Sequence, residues 1–322
     1  MEILTPPDLL RCYQMGVTSF LNAAIRSSVG SRATVFLRPS PCFSSVPRKM
    51  MSAGKMDHLQ KTGRNYRQMA LFPARVTGIG AESQTVRRLR LEVTDPDFSF
   101  RAGQWVDLFI PGVEKVGGFS ICSAPGLLQR EGVLELAVKY AQHPPAHWVH
   151  TQCALDSRVV VRVGGDFFFD PAPGDSPVDL LLVAGGVGIN PLNSILQHNI
   201  DLLRHSHTHT HSQVYIPGHT HLCYSAKNTE ELLFKSSIVE VCEEFPDYFS
   251  CQLHVTQQRG EIDHKLQPYT ISERISEAEL AECVNNRTVC FLCGPPPMIE
   301  SVSTQLRALG LSEDRIRYEK WW

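Results

Sequence analysis

The chain has 322 residues, 43% hydrophobic and 20% charged, with 31 Lys+Arg against 33 Asp+Glu and a formal net charge of −2. That length holds two domains at about 100–200 residues each, and the charge balance gives no overall pull toward nucleic acid. The longest apolar run, Leu180–Leu196, is broken by Gly185, Gly186, Gly188, Asn190 and Pro191, so no stretch reaches the roughly 20 apolar residues of a membrane span.

Residues 1–65 read as a targeting leader. No acidic residue falls between Asp8 and Asp57, whereas Arg11, Arg26, Arg32, Arg38, Arg48, Lys49 and Lys55 do, amid many Ser. Arg-rich, Ser-rich and acid-poor composition describes an organelle transit peptide, so mitochondrial delivery is expected, with a cytoplasmic location as the alternative. Val17, Phe20, Leu21, Ala24 and Ile25 would form an apolar stripe on a helix over 15–27. A start at Met15 would remove the acidic Glu2 and Asp8.

Residues 66–171 carry short β-rich runs separated by turn-forming Gly, Pro, Asp and Ser. They are Ala74–Gly78, Val86–Val93, Gln104–Ile110, Gly118–Ser123, Val133–Tyr140 and Arg158–Val163. This spacing predicts a small antiparallel β-barrel or sandwich. The boundary falls near Asp170–Pro177, where Pro and Gly concentrate.

From 172 to 322 the pattern is that of an α/β domain with a parallel sheet. Strands are expected at Asp179–Ala184, Leu222–Ser225, Cys251–Thr256 and Thr288–Cys293, and helices at Pro191–Leu203, Glu230–Phe245 and Met298–Leu309. Such a sheet binds ligands at the carboxyl ends of its strands. The tract 204–221 (RHSHTHTHSQVYIPGHTH) reads as a His-rich surface insertion with no assigned role, and no metal site is expected. Ten Cys are scattered without repeated spacing, and Cys290-x-x-Cys293 lies in an apolar run, which favours structural thiols over a redox pair.

Two segments carry chemistry. In Leu180–Pro191 a buried-type strand runs into Gly185-Gly186-Val187-Gly188 and then, at Pro191, into a helix. Glycines admit a bulky anion to the backbone, and the helix start offers unpaired N–H groups and partial positive charge. This predicts a pyrophosphate cradle. The second segment, Phe291–Met298, passes from a strand through Gly294-Pro-Pro-Pro into a helix, giving a stiff loop with Cys293 expected at its lip.

Together these segments resemble the ferredoxin reductase superfamily, whose nucleotide domain carries Gly-Gly-x-Gly-x-x-Pro and Cys-Gly-Pro-Pro-x-Met. Here those motifs stand as Gly185–Pro191 and Cys293–Met298, and the resemblance covers Phe72–Trp322 without the His tract. It implies a two-domain fold, a flavin-binding β-barrel ahead of an NAD-binding α/β domain. It also implies hydride transfer from nicotinamide to flavin, with electrons leaving to an acceptor the sequence does not name. On this resemblance Gly185, Gly186, Val187, Gly188, Ile189, Asn190 and Pro191 take the pyrophosphate, with Gly294 and Pro295 beside it. Cys293 and Ser120 are the catalytic candidates, next to the nicotinamide and the flavin N5. Phe119 stacks on the flavin, and Glu319 with Trp321 or Trp322 caps it.

The flavin half departs from the family. Its Arg-x-Tyr-Ser reads Gly117, Gly118, Phe119, Ser120, so the arginine that would grip an FAD pyrophosphate is missing. The family's Gly-x-x-Ser is replaced by His143-Pro-Pro-Ala-His-Trp148. FAD is the expectation, with FMN or no flavin as alternatives. The competing reading is a nucleotide-binding regulatory protein that has lost flavin and turnover. NAD is favoured over NADP, because Tyr224-Ser-Ala-Lys227 supplies no arginine for a 2′-phosphate.

Overall fold

The structure, a computed structural model, describes residues 57–208 and 214–320. The leader up to residue 56, His209, His211, Trp321 and Trp322 lie outside the described residues.

Alternating apolar residues build the first sheet. Its strands are β1 (Phe72–Ala81), β2 (Val86–Glu92), β3 (Trp105–Phe109), β4 (Gly117–Ser120), β5 (Val133–Lys139) and β6 (Arg158–Gly164), in the order β4-β3-β6-β1-β2-β5. Every pairing is antiparallel, and a bridge between Ile121 and Leu136 joins the two edges into a barrel. Closure removes the exposed edges that an open sheet would present. Val76, Leu89, Leu91, Val106, Leu108, Ile121, Leu134, Leu136 and Val161 fill the interior.

The N-terminal edge of this half differs from the composition-based division. Residues 57–65, grouped with the leader, carry a helical turn, α1 (His58–Lys61), closed at its start by a capping box between Asp57 and Gln60. Two short helices also interrupt the β pattern, α2 (Pro125–Glu131) and α3 (Pro144–Thr151), each opening on proline.

The second sheet is wholly parallel. It comprises β7 (Asp179–Gly185), β8 (Thr220–Ala226), β9 (Phe249–Val255), β10 (Thr270–Ile271), β11 (Thr288–Gly294) and β12 (Ile316–Lys320), ordered β10-β9-β8-β7-β11-β12. The helices are α4 (Ile189–Thr208), α5 (Lys235–Glu244), α6 (Glu277–Cys283) and α7 (Pro296–Ala308). Leu180, Leu182, Ala184, Leu222 and Tyr224 face one core with α4 and α5, and Leu181, Val183, Cys223 and Leu292 face another with α6 and α7. Burial on both faces is why β7 is a continuous apolar run rather than an alternating one.

The first core also takes in Val86, Ala102, Cys122, Ala137, Phe167 and Phe169 from the barrel, so the two halves share apolar packing. The start of α4 adds polar ties. Asn190 Nδ2 donates to the Ala137 carbonyl at 2.7 Å, Asn193 Nδ2 to the Cys122 carbonyl at 2.9 Å, and Ser194 Oγ to the Ser123 carbonyl at 2.7 Å.

Two sequence expectations are corrected. The predicted helix Glu230–Phe245 is split, with a 3₁₀ turn at Thr229–Glu231 under an Asn228 cap and the helix proper starting at Lys235. Leu232, Leu233 and Phe234 are all buried, and three successive apolar residues cannot share one helix face, so the chain bends at Phe234 (φ 56°). The predicted His-rich insertion is shorter than 204–221, because Arg204–Thr208 continue α4 and Thr220–His221 begin β8.

Candidate nucleotide site

In the parallel sheet β7 has β8 on one side and β11 on the other, so chain order reverses direction at its carboxyl end. A crevice opens there in folds of this kind. A cavity of about 460 Å³ occupies it, lined by Gly185, Gly186 and Val187 at the end of β7, Ser225–Lys227 at the end of β8, Thr256 after β9, and Pro295, Pro297 and Met298 after β11. Val86 and Lys139 close it from the barrel.

Each glycine of the turn has its own physical reason. Gly186 has φ +55°, and a Cβ there would meet nothing within 4 Å, so its backbone is open to the cavity. At Gly185 a Cβ would stand 2.7 Å from Pro295 and 2.8 Å from the Met298 sulfur. A Cβ on Gly294 would stand 3.0 Å from the Gly185 backbone, so the two strand ends touch. The helical start lies earlier than the sequence placed it. Gly186–Gly188 form a 3₁₀ turn running directly into α4, and Pro191 sits inside the first turn rather than opening the helix. The unpaired N–H groups are therefore those of the glycine turn, at the positive end of a 20-residue helix. An anion there gains about 0.3–1 kcal/mol, and up to about 2 when partly buried.

The seven-residue turn divides into two sets. Gly185, Gly186 and Val187 line the cavity, while Gly188, Ile189, Asn190 and Pro191 are buried behind it. Asn190 spends its amide on the barrel. Gly294 is packed beneath the cavity wall that Pro295 forms. Sequence reasoning missed Arg274, which joins Lys227 at the cavity from the loop before α6. Both side chains are exposed, and neither has an ion-pair partner among the described residues, whereas Lys139 pairs with Glu231 at 3.3 Å. An arginine about 50 positions past the end of β8 leaves no local signal.

The catalytic candidates are placed elsewhere. Cys293 is not at the lip of the loop, because its side chain is fully buried in the shared apolar core, where burial pushes the thiol well above its ordinary value. Ser120 is 7% exposed on β4, opposite Trp105, and lines no part of the nucleotide cavity. Phe119 packs against the barrel core. Glu319 pairs with Cys293 in the sheet and lines a second cavity of about 410 Å³ with Trp105, Phe167 and Arg317.

The positions that correspond to the flavin-diphosphate motifs of the ferredoxin reductase superfamily do not fit that group. A Cβ on Gly117 would stand 2.4 Å from the Phe119 ring and 2.8 Å from Pro145, so no longer side chain has room there. Helix α3 opens at the same place with Pro144 and Pro145, which have no N–H to offer an anion. Lys115 is directed to Asp57 at 3.4 Å. Beside this, the His58 ring lies over Gly118, and a Cβ there would be 2.1 Å from it. His58 donates to the fully buried Asp107 at 2.8 Å, and Arg67 (2.9 Å) and Arg162 (2.6 Å) donate to the same carboxylate. Burial alone would raise the Asp107 pKa, but these three donors hold it below the ordinary carboxylate range.

A family profile described as oxidoreductase NAD-binding domain matches residues 182–304. The zebrafish (Danio rerio) oxidoreductase NAD-binding domain-containing protein 1 is 66% identical over 274 residues, covering 85% of this chain and 100% of the relative. The chain belongs to this family. Its human relative of the same name is 48% identical over 316 residues, covering 98% of this chain and 97% of the relative. Among solved structures, the Amycolatopsis cytochrome P450 reductase aligns with TM-score 0.63 at 23% identity, over 79% of this chain and 71% of that one. The Neisseria gonorrhoeae ferredoxin NADP+ reductase, solved with bound FAD and NADP, aligns with TM-score 0.60 at 17% identity, over 79% and 100%. The fold of this family member is therefore the two-domain ferredoxin-NADP reductase-like one, an antiparallel barrel followed by a parallel α/β domain.

Proposed function

We propose that this chain is a pyridine-nucleotide-dependent oxidoreductase, with the nucleotide lying across the carboxyl ends of β7 and β11. The observation that carries this reading is the open Gly186 backbone at the head of α4, facing a stiff wall of Pro295, Pro297 and Met298 across one cavity. A bound nicotinamide would supply a hydride. The chain's own residues then have three tasks. The Gly185–Val187 turn holds the pyrophosphate, Lys227 and Arg274 attract the anionic ligand, and the proline wall excludes water and fixes orientation. NAD is the expected nucleotide, because β8 ends without an arginine. Arg274 approaches from another loop, so parallel NAD+ and NADP+ titrations are the direct check.

A second reading is favoured by the crowded Gly117 and the donor-free start of α3. On it the chain binds nucleotide without flavin and acts as a regulatory or accessory protein. Absorbance of the purified protein and titration with FAD and FMN separate the two. Flavin uptake together with NADH oxidation by dyes supports the enzyme, and neither occurring supports the regulator. For the shared nucleotide reading, Gly186→Asp places a carboxylate in open space at the turn. NAD+ affinity should fall at least about tenfold, which is 1.4 kcal/mol, and unchanged affinity would remove the assignment. Delivery to mitochondria by the leader is a further part of the proposal, and a full-length fluorescent fusion that stays cytosolic would refute it.

A further inference from the structure

His254 is wholly buried on β9, yet its Nε2 has no hydrogen-bond partner among the described residues. In the sheet it pairs with Ser225, which lines the nucleotide cavity, and with Ile271 on β10. Its Nδ1 stands 3.2 Å from the Glu273 carbonyl. A carbonyl only accepts, so Nδ1 carries the hydrogen and the neutral ring leaves Nε2 a bare acceptor. That nitrogen faces Glu279 Oε1 at 3.9 Å, and two acceptors cannot bond to each other. The other Glu279 oxygen is already engaged, taking the Ser276 N–H at 2.7 Å and its hydroxyl at 2.8 Å to cap α6.

One imidazole thus addresses both ends of the segment Glu273–Glu279. Between those ends lie Arg274 and Ile275, both at the cavity wall. Neutral His254 holds the first end only. A proton on Nε2 would supply a hydrogen to Glu279 Oε1, which takes none from the described residues, without disturbing the cap made by Oε2. We propose that His254 is a positioning residue for the pyridine nucleotide, and that protonation of its Nε2 clamps Glu273–Glu279 at both ends and tightens nucleotide binding. The inference rests on the nucleotide reading above. The added positive charge, on the strand neighbour of cavity-lining Ser225, also favours an anionic ligand.

The neighbouring charges set where the switch lies. Burial lowers the His254 pKa from its ordinary 6.5, opposed by Glu279 on α6 and by the Glu273 carbonyl. From β8, His221 adds like charge when protonated, although burial lowers its own pKa too and Glu282 of α6 acts on it in the other direction. Glu273, Arg274 and Glu277 are the other charged side chains of the held segment, and β10 contributes only Thr270 and Ile271. The transition therefore falls on the acid side of 6.5.

The test is NAD+ affinity by calorimetry from pH 8 to pH 5.5 in wild type, His254→Gln and Glu279→Gln. NAD+ is chosen because its pyrophosphate stays ionised throughout. His254→Gln keeps an N–H for the Glu273 carbonyl but does not titrate, and Glu279→Gln keeps the cap but loses the charge. Wild-type affinity should rise about fivefold or more toward pH 5.5, the lower end of usual site couplings. Both variants should be flat across this range, His254→Gln near the wild-type pH 8 value and Glu279→Gln at or above it, because its amide can donate to the neutral Nε2. A flat wild-type profile, or a rise that survives in His254→Gln, overturns the inference. Absence of NAD+ binding at every pH would instead defeat the nucleotide reading, and the clamp is then read by amide hydrogen exchange. Protection of residues 273–276 in wild type relative to His254→Gln should grow toward pH 5.5, and a constant ratio overturns it.

Discussion

Gly188 packs against Cys293 so closely that a Cβ at position 188 would stand 2.2 Å from the Cys293 carbonyl oxygen. The glycine turn and the Cys-Gly-Pro-Pro segment are therefore one joint between β7 and β11, not two separate motifs. A methyl group at 188 must displace backbone, because no flexible side chain is there to yield. Gly188→Ala should lower unfolding free energy by about 1–3 kcal/mol or more, the usual range for overpacking. Gly186→Ala meets open space and carries only the cost of its left-handed backbone, about 1 kcal/mol. Urea denaturation of the pair checks this, and equal losses would contradict the joint.

Much of the fold was legible, and the reasons are local. β7 reads as a buried parallel strand because Leu180–Ala184 is apolar on both faces, and Val86–Glu92 reads as a barrel strand because it alternates. Elements set by distant contacts were not legible. α1 is anchored by His58 to Asp107, 49 positions away, and nothing in residues 57–65 announces that partner. β12 is alternately charged and takes its place from the β11 ladder. In the site, the glycines spoke for themselves through their missing side chains. Cys293 misled, because a cysteine ending an apolar strand looks the same whether its thiol faces a cleft or the core. Arg274 was invisible because its role depends on where the loop after β10 returns.

The Asp107 cluster gives a second stability prediction. A fully buried carboxylate serves His58, Arg67 and Arg162, so neutralising it strands cations rather than merely removing one bond. Asp107→Asn should destabilise by about 3 kcal/mol or more, the scale for breaking a buried charged network. The N-terminal segment should loosen with it, seen as faster amide exchange at residues 58–67. Unchanged exchange there would mean that α1 is held by other contacts.

Acid should weaken the fold in two steps with a definite order. Burial lowers the pKa values of His198, His219, His221 and His254 from 6.5. Below that pH the unfolded chain takes up protons that the folded chain resists, so unfolded material is favoured as pH falls. Stability should be level above about pH 6.5 and decline beneath it. Asp107, held below its ordinary 3.8, adds a further loss that begins as pH falls past 3.8 and is complete below its lowered value. Urea midpoints from pH 8 to pH 3 check both steps, and a flat course between pH 6.5 and 5 would contradict the buried imidazoles.

Arg274 should reveal itself through salt. It is exposed at the cavity without an ion-pair partner among the described residues, so its attraction for a nucleotide acts partly through water. Such an interaction is worth about 1 kcal/mol or less and is screened over roughly 10 Å at 0.1 M salt. Arg274→Ala should therefore weaken NAD+ binding up to about fivefold at low ionic strength, and the gap should narrow as salt rises. Arg274→Lys should retain most of the affinity, since charge rather than a fork is required. If Arg274→Ala instead costs the same at every salt concentration, the guanidinium makes a dry, direct contact with the ligand. If it costs nothing at low salt, Arg274 is no part of the site.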